Sequence, residues 1–252
     1  LRVSRAQPET EQAWAPGPLR PLLAEHAVHV WRADLTDVPD ALGELLDDGE
    51  RARAARFANA RDAERWRRSH GLLRALLGGY LQLEPASLRF TAGEHGKPAL
   101  AADSDRGRAG APHEPDPTRI GSRLSFNMSH SAQLALYAFS RAGAVGVDVE
   151  VGRRPIDEVA VAARALGMAT ANRLRTLEQP ARSREFLAAW ARHEAQLKCL
   201  GVGIGGAGFG GSAGAGEDHG LWLVELEMGP DVAAAVAAEH PARELCCWDW
   251  RA

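Results

Sequence analysis

Cysteine is scarce: Cys199, Cys246 and Cys247 are the whole supply in 252 residues. Two of them are sequence neighbours, which rarely bridge, and no Cys-x-x-Cys occurs. A disulfide framework and a zinc ribbon are excluded, and a reducing, cytoplasmic setting is expected. No apolar run approaches 18 residues, so no membrane-spanning helix is expected. The opening LRVSRAQPET lacks the apolar core of a signal peptide. The chain opens on Leu1 rather than Met, which suggests a trimmed N-terminus. Neither sign of charge dominates: 30 Lys and Arg against 33 Asp and Glu leave a net charge of −3, too little to recruit nucleic acid or a membrane. Familiar motifs are missing too. Gly201-x-Gly203-x-Gly205 follows a helical pattern, whereas a dinucleotide fingerprint follows a strand. No Gly-Lys-Ser/Thr closes a phosphate loop, and His193-Glu194 lacks the second histidine of a zinc-protease helix. Strand and turn aromatics are too few for a base-stacking platform.

The composition that remains is ordinary and globular, 45% hydrophobic and 25% charged. It suits one large domain or two of about 100–150 residues. Residues 1–21 read as a loose arm. HAVHVWRADL (26–35) alternates as a first strand. Residues 47–80 read as helical, with Leu72, Leu73, Leu76, Leu77 and Tyr80 on one stripe and an end near Gly78-Gly79. Residues 101–121 form an insertion loop. RLSFNMSHSAQLALYAFS reads as strand, tight turn and strand, and AVGVDVE (144–150) alternates again. A mostly helical stretch covers 156–200, followed by a Gly-rich segment at 201–220. LWLVELEM and RELCCWDW are late strands, with a helix at 231–239 between them. The class is α+β, with a 22–143 half and a 144–252 half meeting near 140–146.

Four constellations could carry chemistry. Asp148 and Glu150 share one strand face, roughly 6–7 Å apart. They are either an exposed acidic face or hard oxygen ligands suited to Mg²⁺. Glu194 and Lys198 stand one turn apart on a helix, Glu194 within the arc of Phe186, Leu187, Trp190 and Leu197 and Lys198 at its margin. A carboxylate there is costly unless paired or metal-bound; the alternative is a surface ion pair. Asn127, Ser129, His130 and Ser131 cluster near a turn and offer a phosphate cradle or simple turn chemistry. Eight arginines lie between Arg51 and Arg74, Arg53, Arg56, Arg61 and Arg65 among them, as a solvated face or a phosphate grip. Lys97 adds a point charge from a turn fixed by Gly96 and Pro98.

The order of these pieces resembles the Sfp-type 4′-phosphopantetheinyl transferases over about residues 45–205. That resemblance implies a pseudo-dimer of two similar α/β-type subdomains with the active site in the cleft between them. It implies transfer of phosphopantetheine from coenzyme A to a serine of an apo acyl or peptidyl carrier protein, as in polyketide and nonribosomal peptide synthesis. The other product is adenosine 3′,5′-bisphosphate. By the same resemblance, Asp148, Glu150 and Glu194 hold Mg²⁺, Glu194 is the general base, and Lys198 and His130 assist at phosphate. Arg53, Gly96, Lys97, Pro98, Ser129, His130 and Lys198 contact coenzyme A. The family also implies a monomer. The alternatives are a non-catalytic coenzyme A-binding relative and another Mg²⁺-dependent phosphotransferase. The sequence departs from the family at Glu50, Trp66, Ala165-Leu166, His193 and Val202, mostly by losing positive charge.

Overall fold

The computed structural model describes residues 13–92, 98–101, 124–152, 156–202 and 220–251. The first part of the chain holds β1 (Ala15–Pro16), β2 (Ala27–Asp34), α1 (Asp48–Ala54), α2 (Ala60–Leu81), β3 (Phe90–Ala92) and β4 (Pro98–Leu100). Three strands follow, β5 (Ser125–Ser131), β6 (Leu134–Ser140) and β7 (Val145–Val151). Helices α3 (Glu158–Ala165), α4 (Met168–Arg175) and α5 (Ala181–Leu200) lead to β8 (Trp222–Glu225), β9 (Val232–Ala238) and β10 (Glu244–Asp249). The fold is α+β, as expected. The three cysteines form no disulfide. Among the described residues, no helix is long and apolar enough to cross a membrane.

A five-stranded sheet runs in the order β1-β10-β2-β6-β5, and a three-stranded antiparallel sheet in the order β7-β9-β8. The last strand of the chain therefore lies in the sheet of the first, parallel to β2, with Leu245 opposite Val28. Strand β2 is buried on both faces, and alternation explains how. Trp31 and Ala33 meet Leu72, Leu73, Leu76, Leu77 and Tyr80 of α2. Val28 and Val30 point the other way and meet Val145, Val147 and Val149 of β7. The layers are thus α2, five-stranded sheet, three-stranded sheet and α5.

Several expectations are corrected. Within 231–239 the chain forms β9, Val232–Ala238, rather than the expected helix. The run VAAAVAA favours helix by propensity, but its alanines line a slot. Ala235 and Ala237 pack against Ala191, Ala195 and Cys199 of α5. Only small side chains let the helix lie that close, so packing overrides propensity. Residues 47–80 are two helices, because Asn59 caps a fresh start by accepting from Arg61 N–H. The second helix runs past Gly78-Gly79 to Leu81, with Gln82 left-handed at φ 55. Gly78 instead clears the returning chain: a Cβ there would lie 2.7 Å from Pro85 Cγ. Part of the expected loose arm is docked. Gly17 N–H donates to Asp249 O, and the Trp14 indole donates to Glu227 O. Asn127, Ser129, His130 and Ser131 all lie on β5. The turn itself is Ala132-Gln133, with Ala132 at φ 52. Gly96, Lys97 and most of the loops at 101–121 and 201–220 lie outside the described residues.

Candidate active site

The site forms where β7 passes between β5 and α5. Val145, Val147 and Val149 fill the core between the sheets, so Gly146, Asp148 and Glu150 take the opposite face, under α5. A Cβ on Gly146 would lie 2.1 Å from Ala195 O and 2.4 Å from Cys199 N. Glycine is required here because α5 rests on β7 at this point, and that contact sets the depth of the next turn of helix. The stripe that α5 turns to the sheet is Ala191, Ala195 and Cys199. Phe186, Leu187 and Trp190 pack instead among α3 and α4. Glu194 and Lys198 stand beside the small-residue stripe rather than inside one large apolar arc.

Lys198 reaches from α5 across to β7. Its ammonium donates to Asp148 Oδ1 at 2.6 Å, to Ser129 Oγ at 2.9 Å and to Val147 O at 3.3 Å. Ser129 Oγ in turn donates to Asp148 Oδ1 at 2.8 Å. The other oxygen, Asp148 Oδ2, is buried and has no hydrogen-bond partner among the described residues. Glu194 is only 5% exposed. Loss of water around it, then the negative charge of Asp148, push its pKa up to about 7; Lys198 opposes this and Glu150 adds to it. His130 is held below its ordinary value by desolvation, then by the charges of Arg65 and Lys198, against a smaller pull from Asp62.

The alternation of β5 has a purpose that the sequence pattern did not reveal. Asn127 Oδ1 accepts from Val147 N–H at 2.9 Å, and Ser131 Oγ accepts from Val151 N–H at 3.1 Å. These side chains cap the free edge of β7 where the two sheets abut, and Ser129 between them reaches Lys198. A cluster read as turn chemistry or a phosphate cradle is therefore also a seam between sheets.

From Lys198 a cavity of about 610 Å³ extends toward α1 and α2. Ser129, His130 and Lys198 form one end; Arg53, Glu50 and Asp47 stand on the α1 side. Trp66, His70 and Leu73 of α2, with Phe90, Thr91, Pro98 and Met128, make the remaining wall. Of the expected site residues, the fold brings Arg53, Pro98, Ser129, His130 and Lys198 onto this cavity, with Asp148, Glu150 and Glu194 beside Lys198. Arg56, Arg61 and Arg65 are not among its lining residues; Arg65 binds Asp62 and Ala132 O.

Glu50, an unexpected acid near Arg53, has a structural partner. It completes a capping box with Asp47 at the start of α1 and accepts from Arg74 Nε at 2.7 Å. Arg74 is fully buried, also donates to Asp47, Pro85 O and Leu88 O, and lies over the Phe90 ring. The Asp-x-x-Glu spacing was the available signal for this box, hidden by reading 47–80 as one helix. His70 carried no such signal.

A lysine-bearing, acid-lined end opens onto a half-apolar cavity with an arginine, and its charge and size suit a large phosphorylated molecule. Comparison with known proteins agrees. Residues 30–141 match the family described as 4′-phosphopantetheinyl transferase, N-terminal, and residues 144–213 match the 4′-phosphopantetheinyl transferase superfamily. The chain is 34% identical over 197 residues to the 4′-phosphopantetheinyl transferase HetI of Nostoc sp., spanning 77% of each protein. It is 26% identical over 228 residues to a phosphopantetheinyl transferase of Thraustochytrium sp., spanning 79% of this chain and 72% of that protein. The chain belongs to the 4′-phosphopantetheinyl transferase superfamily.

Proposed function

We propose that this protein transfers the 4′-phosphopantetheine group of coenzyme A to a serine of an apo acyl or peptidyl carrier protein, releasing adenosine 3′,5′-bisphosphate. The observation that carries this reading is the meeting of Glu194, Asp148 and Lys198 at the end of the donor cavity. The site would lie in the cleft between two subdomains, 22–143 and 144–252, with β10 returning to the first. The protein would act as a cytoplasmic monomer.

The residues fit a magnesium ion by their chemistry. Asp148, Glu150 and Glu194 are hard oxygen donors, and Asp148 Oδ2 is a buried oxygen without a partner among the described residues. Among the described residues, no group of three such side chains is already gathered as an ion's ligands, and Lys198 occupies the other Asp148 oxygen. Asp148, Glu150 and Glu194 would hold Mg²⁺, which when bound supplies charge neutralisation at the diphosphate.

The chain's own groups account for the remaining chemistry. The carrier serine is a poor nucleophile, and Glu194, with a pKa near 7, is poised to accept its proton at neutral pH. The serine oxygen bonds to the phosphorus that bears pantetheine. The bond from that phosphorus to the bridging oxygen breaks, and the oxygen leaves on the adenosine bisphosphate. Lys198 neutralises the oxygens that gain charge, and Ser129 and His130 position them. Arg53 binds phosphate at the α1 side of the cavity.

The test is to incubate the protein with coenzyme A, Mg²⁺ and a panel of apo carriers, then weigh each carrier. A gain of one phosphopantetheine is expected. Coenzyme A binding with no gain on any carrier would replace this reading with a non-catalytic relative. Hydrolysed coenzyme A beside unmodified carrier would replace it with a different phosphotransfer.

A further inference from the structure

The cavity wall formed by α2 carries a polar group that the proposed chemistry does not use. His70 lies one turn after Trp66, and their rings stack with centroids 3.8 Å apart and planes 21° apart. His70 Nδ1 is 3.0 Å from Trp66 O and 3.2 Å from Ser69 Oγ. A carbonyl oxygen only accepts, so Nδ1 carries the proton. In a neutral imidazole the second nitrogen, Nε2, is then an acceptor with no proton. Desolvation is the main reason the ring stays neutral, with its pKa down to about 3; Arg53, Arg74 and His130 act in the same direction, against the bond to Trp66 O. The turn is pinned from the sheet as well: Tyr137 Oη donates to Ser69 O at 3.0 Å. No hydrogen bond to Nε2 exists among the described residues. The ring is thus fixed in position and protonation, on the wall of the cavity.

A fixed acceptor selects a donor. Phosphate oxygens offer none at neutral pH, and the cavity meets them with Arg53 and Lys198. The carboxylates of Asp47 and Glu50 are committed to Arg74 and to backbone N–H groups. Around His70 the wall is apolar and broad, built from Trp66, Leu73, Phe90 and Pro98. That combination suits a flat heteroaromatic ring bearing an amine. We infer that His70 is a specificity-determining residue of the donor cavity, its Nε2 accepting an N–H from the exocyclic amine of an adenine ring. The inference rests on the donor reading proposed above.

The experiment measures the dissociation constants of adenosine 3′,5′-bisphosphate and its inosine counterpart by calorimetry, for three forms of the full chain. The inosine base presents a carbonyl oxygen where adenine presents its amine, and so sets lone pair against lone pair. The wild type should prefer the adenine nucleotide about tenfold, the scale of one hydrogen bond lost with its acceptor left unpaired. His70→Phe keeps a ring on Trp66 but has no acceptor, and its preference should fall to near unity. His70→Gln restores an acceptor and should recover part of the preference. A wild-type ratio near one, or a full ratio retained in folded His70→Phe, would overturn the inference while carrier loading by the wild type still upheld the donor reading. Failure of the wild type to bind either nucleotide or to load any carrier would overturn both.

Discussion

Replacing Glu194 by glutamine should stabilise the protein and silence it, and the gain should depend on pH in a fixed direction. Burial and the neighbouring Asp148 raise the folded-state pKa of Glu194 from 4.5 to about 7. A carboxyl with a raised folded pKa binds its proton more tightly when folded. Its stabilisation is complete below about pH 4.5 and is lost as pH rises through about 7. Each pKa unit corresponds to about 1.4 kcal/mol, so ionised Glu194 costs up to about 3 kcal/mol at pH 8 and under about 1 kcal/mol at pH 5. Glutamine has the same shape and never ionises. The stability of Glu194→Gln relative to wild type should therefore grow by about 2.5 kcal/mol between pH 5 and pH 8. For a chain of this size that is a growth in the melting-temperature difference of roughly 5–10 °C.

The assay is thermal unfolding of both proteins in chelator across that pH range, by calorimetry with circular dichroism as a second probe. Adding Mg²⁺ at pH 8 should then raise the wild type more than the variant, because only the wild type offers the Glu194 carboxylate. A gap that stays constant with pH, or narrows as pH rises, would refute the claim that Glu194 is held in a desolvated, like-charged site. Carrier loading by the variant at the wild-type rate would refute its role as base.

Other changes should fail in distinguishable ways. Gly146→Ala places a methyl against α5 backbone at 2.1 Å; a loss of about 1–3 kcal/mol in denaturant melts is expected, with loading reduced further than the unfolded fraction explains. Glu50→Lys should not improve coenzyme A binding, although it adds a cation beside Arg53. It removes a partner of fully buried Arg74 and should cost about 3 kcal/mol or more in urea titration. Lys198→Arg should keep the fold and lower kcat for carrier loading by roughly 100-fold or more in steady-state assays. Ala235→Leu should destabilise by about 1–3 kcal/mol, since it enlarges a strand position pressed under α5; a helix at 231–239 would tolerate it.

The parts of the fold that the sequence expressed locally were legible. The Leu72 to Tyr80 stripe and the alternation of β2 and β7 followed from periodicity, while the grouping of Asp148, Glu150, Glu194 and Lys198 came from the family resemblance. What escaped depends on contacts distant in sequence. Nothing local distinguishes VAAAVAA in a strand from the same letters in a helix; the difference is made by Ala191, Ala195 and Cys199, which need flat, small neighbours. Glu50 looked like a lost cation because its partner, Arg74, is 24 positions away and belongs to the next helix. The arginine-rich stretch looked like one surface, yet it divides. Arg68 binds Asp40 and Glu64, and Arg74 is buried under α1, while Arg53 reaches the cavity. Burial was needed to sort them, and charge counts do not encode burial.

Lysine usage shows how the site residues separate from the background. Of the 30 Lys and Arg residues, only Lys97 and Lys198 are lysine. Everywhere else the chain places its cations as guanidiniums, including the buried and cavity-lining ones, so arginine meets every ordinary need for positive charge here. At position 198 the requirement is geometric. An ammonium directs three protons from one atom and reaches Ser129 Oγ, Asp148 Oδ1 and Val147 O together. A planar fork spreads its donors over three nitrogens and cannot converge on one point beside a strand that α5 already touches. Lys198 is thus a bridge between α5 and β7, and it joins Asp148, Ser129 and one end of the cavity through a single nitrogen.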